Sequence, residues 1–280
     1  MSLRPWLSEF RARLSNGSSR RKVCHNKARG TCPVEVVQRL EERTLLAATA
    51  LVIGTDLTIL TDADEAVTVG VNSTSGNTEV LIDGVALAAG STISAGSLTS
   101  LSIRTGSASN QIDLSAITSG VFTSLASITV DAGNGDDTII GAASVASALS
   151  GGDGNDSITG GSADDVLMGN DGQDTIDGGA GNDDINAGDG DDSVTAGAGD
   201  DTVTGDDGDD TVFGGAGNDS VLANNGADSL FGEAGDDTLN GDGGLDSIDG
   251  GDGNDLVFAG ADNDTVSGGL GNDTVNGQAG

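Results

Sequence analysis

An aliphatic residue returns at every ninth position through the second half of the chain, and the positions between are mostly polar, Gly or Ala. Residues 151–276 divide into fourteen consecutive nine-residue units without a gap, among them GGDGNDSIT (151–159), GGAGNDDIN (178–186) and GGAGNDSVL (214–222). Position 8 is aliphatic in all fourteen: Ile158, Leu167, Ile176, Ile185, Val194, Val203, Val212, Val221, Leu230, Leu239, Ile248, Val257, Val266 and Val275. Position 7 is commonly Thr or Ser and position 9 varies, so positions 7–9 predict a three-residue strand with one inward side chain. Positions 1, 2 and 4 are mostly Gly, which permits positive φ and a tight turn. Where position 2 is not Gly it is Asn170, Asp206, Asn224, Glu233 or Asp242, and four of these five are the types that best tolerate a left-handed backbone.

A six-residue turn followed by a short strand sends the chain sideways rather than back. Two units then make an 18-residue coil with a strand on each side. Strands of successive coils pair in parallel, and the position-8 side chains of both sides meet in a thin core that no single unit could bury. The predicted fold is all-β, a parallel β-solenoid of seven coils from the fourteen units. The unit AGNGDDTII (132–140) fits the same frame, and a degenerate stretch one residue longer (141–150) separates it from the array.

Upstream, the pattern weakens. Residues 50–130 hold short alternating runs such as Leu57–Leu60, Val67–Val71 and Leu101–Ile103, which predict short strands. TGSASNQID (105–113) aligns with 132–140 at a separation of 27 residues, with Asn110 at the Asp position and Ile112 at the aliphatic one. These residues predict diverged, metal-poor coils leading into the solenoid, with a small separate β-sandwich as the alternative. Val34–Ala48 predicts a short amphipathic helix. The expected organisation is a basic targeting or disordered segment at 1–49, a β-rich segment at 50–130 and the repeat array at 131–280.

Charge follows the same division. The net charge is −34, and ten of the eleven basic residues lie in 1–43. The last is Arg104, after which no Lys or Arg occurs. Nucleic acid is therefore a poor partner, because phosphate binding runs on Lys and Arg. Leu45–Ile53 is apolar but too short to span a bilayer, so no membrane span is expected. With 35 % apolar and 2 % aromatic residues, the chain lacks the means for an ordinary thick core. One His and two Cys leave little for a His-based catalytic centre, and the chain is expected not to be an enzyme. Cys24, His25 and Cys32 are three candidates where structural zinc takes four ligands.

Position 6 is Asp in all fourteen units: Asp156, Asp165, Asp174, Asp183, Asp192, Asp201, Asp210, Asp219, Asp228, Asp237, Asp246, Asp255, Asp264 and Asp273, with Asp137 in the earlier unit. In an 18-residue coil these carboxylates form two files down the two edges, about 5 Å apart along each. Such files repel unless cations enter from solution. Ca²⁺ fits, because it takes six or more oxygens, peptide carbonyls included. An ion between units i and i+2 would be held by Asp side chains and by carbonyls of the Gly-rich turns: Gly154, Gly172, Gly181, Gly190, Gly199, Gly208, Gly217, Gly226, Gly235, Gly253 and Gly271. The array allows about twelve such sites. Position 5 is Asn or Asp except at Gln173, Ala227 and Leu245, and Ala163 and Asp262 replace Gly at position 4. Ala227 and Leu245 are 18 residues apart, so weaker sites are expected beside them. Phe213 and Phe231, also 18 apart, are expected to stack as a packing ladder; an exposed patch for a partner is the alternative reading.

The array closely resembles the RTX nonapeptide, GGxGxDxUx, of haemolysin-type calcium-binding repeats. That resemblance covers 132–140 and 151–280. It implies a right-handed parallel β-roll, folding dependent on Ca²⁺, and a secreted bacterial protein in an extracellular or cell-surface setting. LEERTLLAA (40–48) resembles an LExRTLLA-like segment found ahead of large bacterial secreted or surface proteins, which implies targeting or processing. The expected function is calcium binding by a structural, surface or adhesive β-roll whose cell-surface or matrix partner is open. The alternative is a secretion and folding module of a larger secreted hydrolase or toxin. Gly277–Gly280 open a further repeat with no capping segment, so the last coils are expected to fray.

Overall fold

The computed structural model describes residues 95–280 throughout and, ahead of them, 35–36, 49–53, 56–61, 66–71, 78–82 and 85–86. All of these lie in one compact unit, Val34–Gly280. Cys24, His25, Cys32 and the segment 40–48 lie outside the described residues. Of the stretch 34–48, where a helix is expected, only 35–36 are described, and at these two residues the structure differs from that expectation. They form a strand antiparallel to Leu51 and Val52, consistent with the β-branched run around them, which loses side-chain freedom in a helix.

The described residues build two sheets, one of thirteen strands and one of twelve, and successive strands of the repeat alternate between them. Ile176 pairs in parallel with Ile158 on one side and with Val194 on the other, and Leu167 pairs with Leu149 and Ile185 in the opposite sheet. From Ser147 onward the first sheet keeps an 18-residue register to its end at Thr274–Asn276. The fold is an all-β parallel solenoid whose coil is two nine-residue units.

The strands Thr138–Ile140 and, from Ser247–Asp249 onward, the last ones span positions 7–9 alone, but those between are longer. In the regular part each runs six residues, as in Thr175–Ala180 and Thr202–Asp207, and so takes in positions 1–3 of the next unit. The turn shrinks to positions 4–6. The second inward position is position 1, always Gly or Ala: Gly178 is buried beside Ile176, and Ala196 beside Val194. One large and one minimal side chain per strand let the two sheets approach closely, which is how a chain so poor in aromatics closes a core. Position 2 turns the strand end by positive φ. All five non-Gly residues there adopt it, with Asn170, Asp206, Asn224, Glu233 and Asp242 at φ 69–79°.

Predicted core residues from Ile158 to Val257 are all buried. The last two differ: Val266 is only partly buried, and Val275 is 49 % exposed. Val275, expected in the core, is therefore not part of it, because the strand Thr274–Asn276 pairs on one side alone, with Leu256–Phe258.

Towards the N-terminus the coil lengthens. Ser147 pairs with Ile128 and Ile158 with Ile139, a 19-residue spacing that absorbs the extra residue of 141–150. Ile112 pairs with Ile139, and Leu101 with Ile128, at 27 residues. Leu57 pairs with Leu101 at 44 and Val67 with Ile112 at 45. Antiparallel strands, such as 78–82 on 66–71, add to these first coils. The longer coils also bring thicker packing, with Leu114, Ile117, Phe122 and Leu125 buried. Arg104 pairs with Asp131 at 2.7 Å here, at the head of the array rather than within it.

Candidate metal centre

Two edges result. Edge one holds the turns that follow first-sheet strands, with Asp137, Asp156, Asp174, Asp192, Asp210, Asp228, Asp246 and Asp264. Edge two holds Asp165, Asp183, Asp201, Asp219, Asp237, Asp255 and Asp273. Every position-6 carboxylate in these files accepts a backbone N–H through Oδ1. On edge one the Asp156 N–H donates to Asp174 Oδ1 at 2.7 Å, and the Asp192 N–H to Asp210 Oδ1 at 2.9 Å. On edge two Asp183 donates to Asp201 at 2.7 Å and Asp201 to Asp219 at 2.9 Å. Edge one begins at Asn110, whose N–H donates to Asp137 Oδ1; edge two begins at Ser147, donating to Asp165. The aspartates from Asp137 to Asp255 are 1–3 % exposed, while Asp264 and Asp273 in the last coil are half-buried.

The other carboxylate oxygen is left over. Among the described residues, Oδ2 of all thirteen aspartates from Asp137 to Asp255 is buried without a hydrogen-bond partner. A lone buried anion is costly, so the group moves towards its neutral form. Burial pushes the Asp156 and Asp210 carboxyls up to about 7. It pushes Asp137, Asp165, Asp183, Asp192, Asp219, Asp228 and Asp237 up to about 6. The accepted N–H bond acts the other way but is outweighed, and adjacent aspartates of the file add repulsion at Asp156 and Asp210.

These oxygens point inward, under the strand end. A methyl built on Gly214 would stand 2.7 Å from Asp219 Oδ2 and 2.9 Å from the Gly232 carbonyl oxygen of the next coil. The same pairing recurs at Gly205, with Asp210 Oδ2 and the Ala223 carbonyl. Each corner thus gathers a carboxylate oxygen and a peptide oxygen around a space the missing side chain leaves open. No three His, Cys, Asp or Glu side chains converge among the described residues. The donor set is a carboxylate file plus peptide carbonyls, all hard oxygens, which suits a calcium-like ion and not a soft one.

Position-4 glycines, predicted as carbonyl donors, adopt positive φ from Gly154 to Gly271, and Asp262 joins them at φ 81°. Ala163 does not, so the turn of 160–168 departs from the rest. Position-1 carbonyls carry no signal in the sequence beyond a small residue at that place, and they were not among the predicted donors.

Position 5 builds an outer ladder of opposite polarity. The Asp200 N–H donates to Asn182 Oδ1, and the Asn218 N–H to Asp200 Oδ1. Two bonds from Asn254 hold the exposed Asp236 carboxyl below the ordinary range. With the Gly208 N–H bonded to Asn225 O and the Thr211 N–H to Asp192 O, the turn satisfies its backbone donors internally and leaves oxygens over. Phe213 and Phe231 stack with centroids 4.9 Å apart and ring planes 9° apart.

A model of four RTX calcium-binding nonapeptide repeats matches residues 129–144, 150–185, 186–221, 213–248, 222–257 and 249–280, together just over half of the chain. No curated protein matches it.

Proposed function

Because the chain belongs to the RTX calcium-binding nonapeptide repeat family, we propose that it is a non-enzymatic, extracellular calcium-binding β-roll whose folding is coupled to the ion. The observation that carries this reading is the double file of buried, unpartnered Asp Oδ2 atoms in an array with no Lys or Arg. Bound calcium would supply the positive charge and the Lewis-acid contacts that the chain does not provide. Asp137 and the fourteen position-6 aspartates would hold it through Oδ2, each with Oδ1 fixed by the N–H of the preceding coil. Peptide oxygens at positions 1 and 4 would complete the set.

The coupling follows from order of assembly. In a single unit the aspartates lie apart, and neighbouring files form only when coils stack. Ion binding and coil formation therefore draw on the same free energy. Extracellular modules bind at roughly 10⁻⁴–10⁻³ M, a range that suits folding after export. No helix among the described residues is long and apolar enough to cross a membrane. The rigid, strongly acidic rod suits a structural or adhesive surface role, with 131–280 as the roll and 1–49 as the targeting segment.

Equilibrium dialysis of the full chain against calcium, with metal counted by atomic absorption, tests this reading. About a dozen ions per chain are expected. One or two ions, or equal uptake of magnesium, would overturn it.

A further inference from the structure

The two edges are built from the same repeat but are not alike. The difference lies at position 1, the inward-facing small residue beside Asp Oδ2. On edge one it is Ala132, Gly151 and Gly169, and from there it alternates: Ala187, Gly205, Ala223, Gly241, Ala259. On edge two it is Gly160, Gly178, Ala196, Gly214, Gly232, Gly250 and Gly268, with a single alanine. The glycine corners have no room for a methyl. One on Gly214 would stand 2.7 Å from Asp219 Oδ2, and one on Gly268 2.6 Å from Asp273 Oδ2. At Ala187, Ala223 and Ala259 that methyl is present and buried. The Oδ1 atoms of Asp192 and Asp228 stay anchored to the N–H groups of Asp174 and Asp210, so the alanine methyl takes up space that an ion at Oδ2 has at a glycine corner. An ion shared by adjacent coils on edge one, from Asp174 onward, always meets one such corner. On edge two only the pairs that include Asp201 do.

A second, independent feature points the same way. The outer position-5 ladder of edge two runs unbroken through Asp164, Asn182, Asp200, Asn218, Asp236, Asn254 and Asn272. On edge one it ends where the Ala227 N–H donates to Asp209 Oδ1, because Ala227 and Leu245 have no side-chain acceptor to pass on. The turns of edge two are therefore tied to one another by side-chain bonds from Asp164 to Asn272, whereas on edge one such bonds stop at Ala227.

Resting on the reading that position-6 aspartates bind calcium, we propose that the chain binds it in two classes. Edge two is the tight class and fills first; edge one is the weak class, with position 1 setting the difference. A crowded ligand atom and a lost supporting bond of this kind weaken metal binding by about tenfold or more. Edge one also carries an exposed row, Asp153, Asp171, Asp189 and Asp207, in register. Its attraction for cations is screened beyond about 8 Å at 0.15 M salt, so higher salt widens the gap between the classes.

Calorimetric titration of the chelator-stripped full chain with calcium at 0.15 M salt tests this. Two classes of similar ion number, about tenfold apart, are expected. The variant Ala187→Gly/Ala223→Gly/Ala259→Gly should narrow the gap. Asn218→Ala, an exposed change that introduces no clash, should weaken ions of the tight class only. A single class in the parent chain, or two classes unmoved by either variant, overturns the proposal while leaving calcium binding intact. No calcium uptake at all instead overturns the reading on which it rests.

Discussion

Replacing Asp210 should stabilise the metal-free chain and weaken the calcium-loaded one. Asp210 is 1 % exposed, its Oδ1 accepts the Asp192 N–H at 2.9 Å, and its Oδ2 has no partner. Its carboxyl is raised from 3.8 to about 7. At pH 7.5 the ionised form is therefore disfavoured in the metal-free fold by about 4 kcal/mol. Asp210→Asn removes the charge, keeps the Oδ1 acceptor and turns an amide towards the Ala223 carbonyl. The metal-free fold should gain a large part of that ~4 kcal/mol. Asp210→Ala also removes the charge but strands the Asp192 N–H, so it should fall below the Asn variant by about 1–3 kcal/mol. With calcium both variants lose a ligand to two neighbouring positions, and both midpoints should move to higher calcium. The assay is urea unfolding by far-UV circular dichroism at pH 7.5 in chelator, with TMAO to populate the fold, repeated in calcium. An Asn variant less stable than the parent in chelator, or with an unmoved calcium midpoint, would refute the reasoning.

Acidity should act on the metal-free chain in the same sense. The buried aspartates bind protons more tightly when folded (about 6–7) than when unfolded, so metal-free stability falls as pH rises from about 4 to 7. More β-structure at pH 5 than at pH 7.5 in chelator is expected, and equal signals would contradict it. Glu233→Gly should raise the calcium-loaded melting temperature by relieving a left-handed residue at φ 70°, a gain of up to about 1–2 kcal/mol. A lowered temperature would show that the side chain, not the backbone, matters there. Leu230→Ala, in the buried core, should cost about 2–5 kcal/mol in the same melting assay. Val275→Ala, at a position 49 % exposed, should cost far less, and similar losses would place both residues in one core.

Much of this arrangement is legible in the sequence because two constraints repeat without exception. An aliphatic residue at position 8 and an aspartate at position 6 fix the nine-residue frame. The single extra residue of 141–150 announces the 19-residue spacing seen at Ile139 and Ile158. Strand length was less visible. Asp171 and Asn225 end strands although their types are poor strand formers; pairing with the coils on either side overrides propensity. The direction of Oδ2 was hidden too, since it depends on the corner that Gly214 leaves open. The outer ladder through Asn182 and Asp200 shows in the sequence only as a polar preference, because its bonds join residues 18 apart. The lengths of the early coils were hidden, because paired strands there are 44 and 45 residues apart, and neither is a multiple of the 18-residue coil.

The central claim is that divalent ions between coils let the two files of aspartates close around a thin aliphatic core. Far-UV circular dichroism of the full chain during a calcium titration at pH 7.5, with magnesium as control, tests it most directly. A cooperative rise in β-signal with a midpoint of roughly 10⁻⁴–10⁻³ M calcium, and little response to magnesium, is expected. A spectrum unchanged up to about 10 mM calcium, well above that range, would contradict it.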